Sequence, residues 1–259
     1  MRSDALALPA GADARTAELA DGLRATLARI ERACADAGRS PQEVTLVVVT
    51  KFFGAEDVAR LVRLGVRDVG ENRDQEASAK AAAWPGLLPA EERDVVDEVR
   101  MHFIGQVQSK KAGSVAGYAD LVHSVDRPKL VGALDRAAQR HDRCLAVCVQ
   151  VDLDPVVEGG EPDAGRGGVH PDDLLDLCAA VEQAERLELA GLMTVAPPQV
   201  EPSTAFAALA RVRATVLAEH PGATMLSAGM SGDLEAAVAA GATHVRVGSA
   251  IMGARPTLG

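Results

Sequence analysis

The sequence alternates short apolar runs of strand type with segments of helical periodicity, and this alternation most restricts the fold. The predicted strands cover residues 44–51, 66–70, 101–105, 121–125, 144–153, 187–195, 224–227 and 244–247. The predicted helices cover residues 16–37, 55–64, 71–83, 106–116, 128–141, 171–183, 202–219 and 232–240. Because strands and helices alternate with no second run of strands, the pattern predicts a parallel sheet with right-handed crossovers.

Eight strand-helix units in 259 residues predict an α/β fold, a (β/α)8 TIM barrel with an extra N-terminal helix. An open doubly wound sheet is the alternative, but no Gly-x-Gly-x-x-Gly motif follows the first strand. Little chain follows the eighth strand, so we expect the N-terminal helix to cover the gap left there. We expect a disordered tail over residues 1–13 and one barrel domain over 14–259, with a surface insertion at 84–98 and a loop at 154–168.

Composition and charge exclude several classes of protein. Hydrophobic residues make up 47% of the chain, enough for a core without disulfides or metals. The net charge of −10 argues against a general nucleic-acid binder, although one arginine and a few backbone amides still suffice for an anion site. The cysteines form no Cys-x-x-Cys pair, and Cys144 and Cys148 are predicted to be buried thiols. We find no signal peptide and no membrane span, and therefore expect a cytoplasmic protein.

The first predicted strand ends in a single lysine, Lys51. Its β-branched, apolar run is typical of a strand buried in a parallel sheet. Alternation places Lys51 on the same face as Val49 and Val47, so the amine would lie at the barrel mouth if that face lines the barrel. Burial lowers the pKa of a lysine and makes its amine nucleophilic, which suits a Schiff base. From position alone, a lysine that extends into solvent is the alternative.

The loops after the last two strands are predicted to bind an anion. In (β/α)8 barrels the active site lies at the C-terminal ends of the strands, and phosphate often binds after strands seven and eight. Ser227, Ser231, Gly248 and Ser249 lie in these loops. Glycine allows close backbone approach, serine offers a hydroxyl, and a helix predicted to begin near Ser231 supplies free N–H groups. The alternatives are an ordinary N-cap at Ser231 and an ordinary turn at Gly248.

Arg246 lies on the last predicted strand, close to this anion site. An arginine at a barrel mouth can clamp a phosphate or donate to a ring nitrogen, and a surface ion pair is the alternative. An amine opposite an anion site fits a ligand with both an aldehyde and a phosphate, and pyridoxal 5′-phosphate is such a ligand. A barrel that binds a phosphosugar through a Schiff-base lysine, as in aldolases, is a further hypothesis.

Six motifs occur in one order along the chain. They are Thr50-Lys51, Gly70-Glu71-Asn72, His102-Phe103-Ile104-Gly105, Gly191-Leu192-Met193-Thr194, Leu226 to Ser231, and Val245 to Ile251. Together they resemble the pyridoxal phosphate homeostasis proteins, the single-barrel relatives of alanine racemase. The resemblance extends from about residue 16 to Arg255. The sequence departs from the family pattern at Phe52-Phe53, and at Lys110 where an asparagine is common.

The resemblance implies a role for each matching residue. It implies that Lys51 forms an internal aldimine with pyridoxal 5′-phosphate. It further implies that the phosphate is lined by the two loops, at Ser227, Ser231, Gly248 and Ser249. Arg246 would lie by the pyridine nitrogen or the phosphate. Asn72 would neighbour the ring, with a left-handed turn residue as the alternative.

The resemblance also implies a non-catalytic monomer that holds pyridoxal phosphate in the cell and releases it to apoenzymes. The alternative is a pyridoxal phosphate-dependent amino-acid racemase, which needs a base on each face of the cofactor. In alanine racemases the second base is a tyrosine from another domain of the partner subunit. The chain has one tyrosine, Tyr118, which is predicted to lie at the wrong end of the barrel.

Overall fold

The eight predicted strands close into one parallel barrel in chain order. The computed structural model describes residues 2–4, 6–157 and 167–255. The strands are β1 (Thr45–Val49), β2 (Asp68–Glu71), β3 (Arg100–Phe103), β4 (Leu121–Val125), β5 (Leu145–Gln150), β6 (Leu187–Met193), β7 (Met225–Ser227) and β8 (His244–Val247). Parallel pairing of β1 with β8 closes the sheet, which confirms the (β/α)8 barrel and excludes the open sheet.

Helices follow the strands around the outside of the barrel. They are α1 (Ala14–Asp36), α2 (Ala55–Arg63), α3 (Asp74–Ala83), α4 (Ala112–Tyr118), α5 (Pro128–Arg140), α6 (Leu174–Glu182), α7 (Pro202–Glu219), α8 (Leu234–Ala239) and α9 (Ser249–Met252). The predicted insertion contains two 3-10 segments, Trp84–Leu87 and Ala90–Glu98. Of the loop predicted at 154–168, residues 158–166 lie outside the described residues.

The N-terminal helix covers the barrel beside its closing strands, as expected. Its apolar stripe, Leu19, Leu23, Leu27 and Ile30, is buried, and α1 packs against α2, α8 and α9. Asp13 caps α1 by accepting a hydrogen bond from the Thr16 N–H at 2.7 Å. The helix therefore supports the short α9, which follows the last strand.

Part of the segment before α1 contacts the barrel. The Ser3 hydroxyl donates to Glu31 at 2.6 Å, and Leu6 is buried. The disorder predicted for residues 1–13 and the single domain predicted over 14–259 stay predictions.

The barrel interior has an apolar part and a polar part. The apolar part is a small cluster of buried side chains, Leu121, Cys148, Met193 and Met225. The polar part crosses the rest of the interior and contains Asp68, His102, His123, Ser227 and Arg246, all buried. The large apolar core lies outside these, between the sheet and the helices.

All four cysteines are free thiols. Cys148 is buried as predicted, but the prediction for Cys144 is wrong because its side chain is exposed. The physical reason is the start of β5 at Leu145, one residue later than the prediction requires.

Gly22 tests the contact between α1 and α9. A Cβ at Gly22 would lie 2.8 Å from both the Cα and the carbonyl oxygen of Ile251, so α1 could not keep its position. We expect Gly22→Ala to destabilise the protein by about 2 kcal/mol in urea unfolding, because overpacking outweighs the helix propensity of alanine. The matched control is Gly132→Ala in α5, where the Cβ would meet only the end of the Arg136 side chain. Equal stability changes in the two variants would contradict this contact.

Candidate functional site

A cavity of about 320 Å³ opens at the C-terminal end of the barrel, a size suited to a small ligand. It is lined by five of the predicted site residues, Lys51, Ser231, Arg246, Gly248 and Ser249. The other lining residues are Val49, Phe52, Phe53, Ile104, Met230, Gly232, Gly253 and Arg255. Folding therefore brings the lysine of the first strand-helix unit together with the loops of the last two.

Lys51 lies in a turn just beyond β1, not within the strand as predicted. The turn is closed by a hydrogen bond from the Phe53 N–H to the Thr50 carbonyl at 3.1 Å. Phe52 takes a left-handed conformation, with φ of 74°, and its N–H donates to Glu76. Lys51 is half-buried, and within residues 2–4, 6–157 and 167–255 no carboxylate forms an ion pair with its amine. The amine is therefore available to a ligand.

A buried ion pair anchors the chain just before Lys51. The Lys80 amine donates to Glu71 at 2.5 Å and to the Thr50 carbonyl at 2.9 Å. The Thr50 hydroxyl bonds the same carboxylate. Burial raises the pKa of Glu71, and the positive charge of Lys80 opposes this shift. Because the hydroxyl and the carbonyl of Thr50 are both held, the barrel fixes the backbone position from which the Lys51 side chain extends.

Arg246 is a buried cation beside the cavity. Its side chain donates through Nη1 to the Ser227 hydroxyl oxygen at 2.7 Å and through Nη2 to the Thr194 carbonyl at 2.9 Å. Burial lowers the pKa of Arg246 to about 10, so the guanidinium stays charged at neutral pH. No carboxylate of the described residues forms an ion pair with it, which excludes the surface ion pair considered above. The Asp233 carboxylate favours the charged form through space without forming an ion pair, and an anionic ligand would add a counter-charge in direct contact.

The two loops provide backbone and hydroxyl groups at the cavity wall. Gly248 lies close to β1, because a Cβ there would be 3.2 Å from the Val49 carbonyl oxygen. α9 begins at Ser249. α8 begins only at Leu234, with Asp233 as its N-cap, so Ser231 is not the N-cap considered as an alternative. Instead Asp233 accepts from the Met230 N–H at 2.5 Å, which leaves the Ser231 hydroxyl on the cavity wall.

Two predicted site residues lie outside the cavity wall. Ser227 is fully buried behind Arg246. Asn72 is exposed and lines a separate groove with Gln108 and Lys111. Its φ is not positive, so it is not the left-handed turn residue considered as the alternative. The role predicted for Asn72 beside a cofactor ring stays a prediction.

Two arginines beside Phe52 of the cavity wall were not predicted from the sequence. The Arg73 and Arg255 guanidinium carbons lie 4.6 and 4.4 Å from the centroid of the Phe52 ring, a cation–π arrangement. Among the described lining residues, every charged one is basic: Lys51, Arg246 and Arg255. The cavity is thus locally positive in a chain of net charge −10, which favours an anionic ligand.

Two buried histidines behind the cavity were also missed. His102 contacts Asp68 through Nε2 at 2.9 Å and His123 through Nδ1 at 2.9 Å. His123 contacts the Ser227 hydroxyl through Nδ1 at 2.8 Å. Burial, together with the charge of neighbouring groups, holds the pKa of His123 well below its usual value, so the ring is neutral. The signal in the sequence was a histidine within each of two mostly apolar strands, β3 and β4.

Tyr118 lies away from the cavity, as predicted. It ends α4, packs against Phe103, and its hydroxyl donates to Asp74 at 3.4 Å.

Within the described ranges, no helix has the length and apolar character needed to cross a bilayer.

The comparisons with known proteins agree with this geometry. The family described as "Alanine racemase, N-terminal domain" matches residues 21–256. A pyridoxal phosphate homeostasis protein of Mycobacterium tuberculosis is 46% identical over 250 residues, which cover 93% of this chain and 94% of the relative.

Solved structures extend the likeness to the whole barrel. An unknown protein from Bifidobacterium adolescentis has a TM-score of 0.81 at 30% identity, covering 95% of this chain and 99% of that protein. PipY of Synechococcus elongatus, with PLP bound, has a TM-score of 0.69 at 32% identity, covering 86% of this chain and 99% of PipY. The chain therefore belongs to the pyridoxal phosphate homeostasis protein family, within the wider family of the alanine racemase N-terminal domain.

Proposed function

We propose that this protein holds pyridoxal 5′-phosphate covalently through Lys51 and acts as a non-catalytic carrier that releases it to apoenzymes. One observation carries the proposal: the Lys51 amine and the Arg246 guanidinium line the same cavity, and among the described residues neither forms an ion pair with a carboxylate. The names of the Mycobacterium tuberculosis relative and of PipY with PLP bound support the same ligand.

The residues at the cavity fit this ligand. When bound, pyridoxal phosphate supplies an aldehyde that condenses reversibly with a primary amine. Of the five lysines in the chain, Lys51 alone lines the cavity, whereas Lys80 is held by Glu71. The other three, Lys110, Lys111 and Lys129, are exposed elsewhere.

The part of the cavity wall formed by the last two loops suits the phosphate. Ser231 and Ser249 offer hydroxyls there, and Gly248 lets the backbone approach. Arg246 supplies positive charge for either the phosphate or the ring nitrogen. These groups would hold an anion in the cavity that Lys51 also lines.

The described part of the cavity wall offers no second base of the kind that a racemase needs. Racemisation requires proton transfer on both faces of the cofactor, and Lys51 can serve only one of them. Of the described lining residues, none other than Lys51 is a tyrosine, histidine, cysteine, carboxylate or lysine. An arginine at the ring nitrogen would also keep that nitrogen unprotonated and weaken electron withdrawal. These features favour a carrier over a racemase.

The cellular part of the proposal comes from the sequence and from the relatives. Hand-over to apoenzymes, a cytoplasmic location and a monomeric state are predictions. Sedimentation velocity of the purified protein measures the last of these directly.

Lys51→Ala tests the attachment point. We expect wild-type protein loaded with pyridoxal phosphate and reduced with borohydride to carry a pyridoxyl group on Lys51, as located by peptide mass spectrometry. The variant should lose this group entirely because no other lysine lines the cavity. Lys129→Ala, at an exposed position on α5, is the matched control and should label like wild type. Specific labelling that persists in Lys51→Ala would contradict the proposal.

Proton exchange at the α-carbon of an amino acid tests the absence of catalysis. We expect loaded protein incubated with L-alanine in D2O to incorporate no more deuterium than free pyridoxal phosphate does, because a second base is lacking. An authentic alanine racemase serves as the positive control. Exchange that requires Lys51 would show catalysis and overturn the carrier proposal.

Transfer to an apoenzyme tests the carrier role itself. We expect loaded protein to restore activity to a pyridoxal phosphate-dependent apoenzyme when a trap removes all free cofactor, because the condensation of the aldehyde with the Lys51 amine is reversible. The borohydride-reduced protein is the control and should restore none. Equal restoration from loaded protein and from trapped free cofactor would contradict direct release to the apoenzyme.

A further inference from the structure

A continuous series of hydrogen bonds crosses the barrel interior and ends at Arg246. Asp68, His102, His123 and Ser227, which we call the core chain, are linked by successive contacts of 2.9, 2.9 and 2.8 Å. Arg246 then donates to Ser227 at 2.7 Å. The core chain thus connects the N-terminal end of β2 with the wall of the Lys51 cavity.

The far end of the core chain is held at the opposite side of the barrel. Asp68 accepts from Arg100 at 2.7 Å and borders a separate cavity of about 290 Å³ between α1, β1 and β2. Burial raises the pKa of Asp68, but the hydrogen bond from His102 and the nearby positive charges outweigh burial and hold it below its usual value. Asp68 is therefore a carboxylate, which can only accept hydrogen bonds.

The direction of every hydrogen bond in the core chain follows from Arg246. A guanidinium only donates, so the Ser227 oxygen accepts from Arg246 and its own proton must go elsewhere. Its other contact among the described residues is His123 Nδ1. The Ser227 hydroxyl therefore donates to His123 Nδ1, and the proton of the neutral His123 ring lies on Nε2.

The same reasoning continues to Asp68. His123 Nε2–H donates to His102 Nδ1, and His102 Nε2–H donates to the Asp68 carboxylate. All three links run in one direction with both rings neutral. A proton added to His123 would place a second cation close to Arg246 in the buried interior.

We propose that the core chain positions Arg246: its hydrogen bonds run in one direction between the guanidinium and the Asp68 carboxylate, so that the Ser227 oxygen always faces the guanidinium and holds it against the Lys51 cavity. The inference rests on the proposed function for its ligand and deepens it by assigning Asp68, His102 and His123 a role in cofactor binding.

A hydrolytic relay is the obvious alternative for an Asp-His-His-Ser series, and the geometry argues against it. Ser227 has no exposed surface and does not line the cavity. Its oxygen also accepts from Arg246, which makes it a weaker nucleophile. The core chain therefore acts through Arg246 and not on a substrate.

The tautomers of His102 and His123 test the direction of the hydrogen bonds in the core chain, and their measurement needs no ligand. We expect 15N NMR of the wild-type protein at neutral pH to show His102 and His123 as neutral rings protonated on Nε2. A proton on Nδ1 of either ring, or a doubly protonated ring, would overturn the proposal. Because this measurement needs no cofactor, it stays decisive even if the protein fails to bind pyridoxal phosphate and the proposed function falls.

A double-mutant cycle tests whether the core chain acts through Arg246. We expect His123→Leu to raise the Kd for pyridoxal phosphate about tenfold, because Ser227 loses its acceptor and Arg246 loses a charge-assisted hydrogen bond. His123→Asn, which keeps an acceptor near the Nδ1 position, should stay within about threefold of wild type. In an Arg246→Ala background, His123→Leu should have less than about a twofold effect.

The remaining outcomes show whether the core chain positions Arg246 or only stabilises the fold. Equal losses from His123→Leu with and without Arg246 would overturn the proposal, as would equal losses from the Leu and Asn variants. Thermal unfolding of each variant verifies that it is folded before its Kd is measured. Attachment of the cofactor to Lys51 by borohydride reduction should persist in His123→Leu at saturating cofactor. The reason is that Lys51 follows Thr50, which Lys80 anchors independently of the core chain.

Discussion

Pairing of β1 with β8 is the interaction on which the cavity depends. Its register sets Val47 opposite Arg246 and Val48 opposite Val247, so the residues that follow each strand emerge side by side. Lys51 comes from one strand end, and Gly248 and Ser249 come from the other. The closing pair therefore brings residues about 200 positions apart in sequence to one wall of a cavity. Any packing that supports this pair, including α1 against α9, also supports the site.

The sequence predicts the parts of the site that depend on strand order. Eight alternating units predict a barrel, and a barrel requires the ends of its first and last strands to meet, so Lys51 and Gly248 could be placed together. It does not predict which polar residues face the cavity. Ser227 and Ser231 look equivalent in sequence, but Ser227 ends β7 inside the barrel whereas Ser231 lies in the turn before α8. Asn72 follows β2, yet the chain turns outward there before α3 begins.

The core chain was not predictable because it depends on register across the whole barrel. Its members come from β2, β3, β4 and β7, and each sequence position alone shows only a polar residue within an apolar strand. Gly70 pairs with His102, and His102 with Leu121, so the contact between His102 and His123 is diagonal across neighbouring strands. Alternation along one strand gives the face of a residue, but no local pattern gives such a diagonal contact.

Two buried cations in this barrel, Lys80 and Arg246, differ in their partners. The difference distinguishes a charge that supports the fold from a charge that can bind a ligand. Lys80 is paired with Glu71, and that pair fixes Thr50 just before Lys51. Arg246 is equally buried but is held only by a hydroxyl and a carbonyl, neither of which carries a full negative charge. Burying a charge without a counter-charge is costly, and that cost falls when an anion enters the cavity. The arrangement therefore links the stability of the barrel interior to the presence of an anionic ligand beside Lys51.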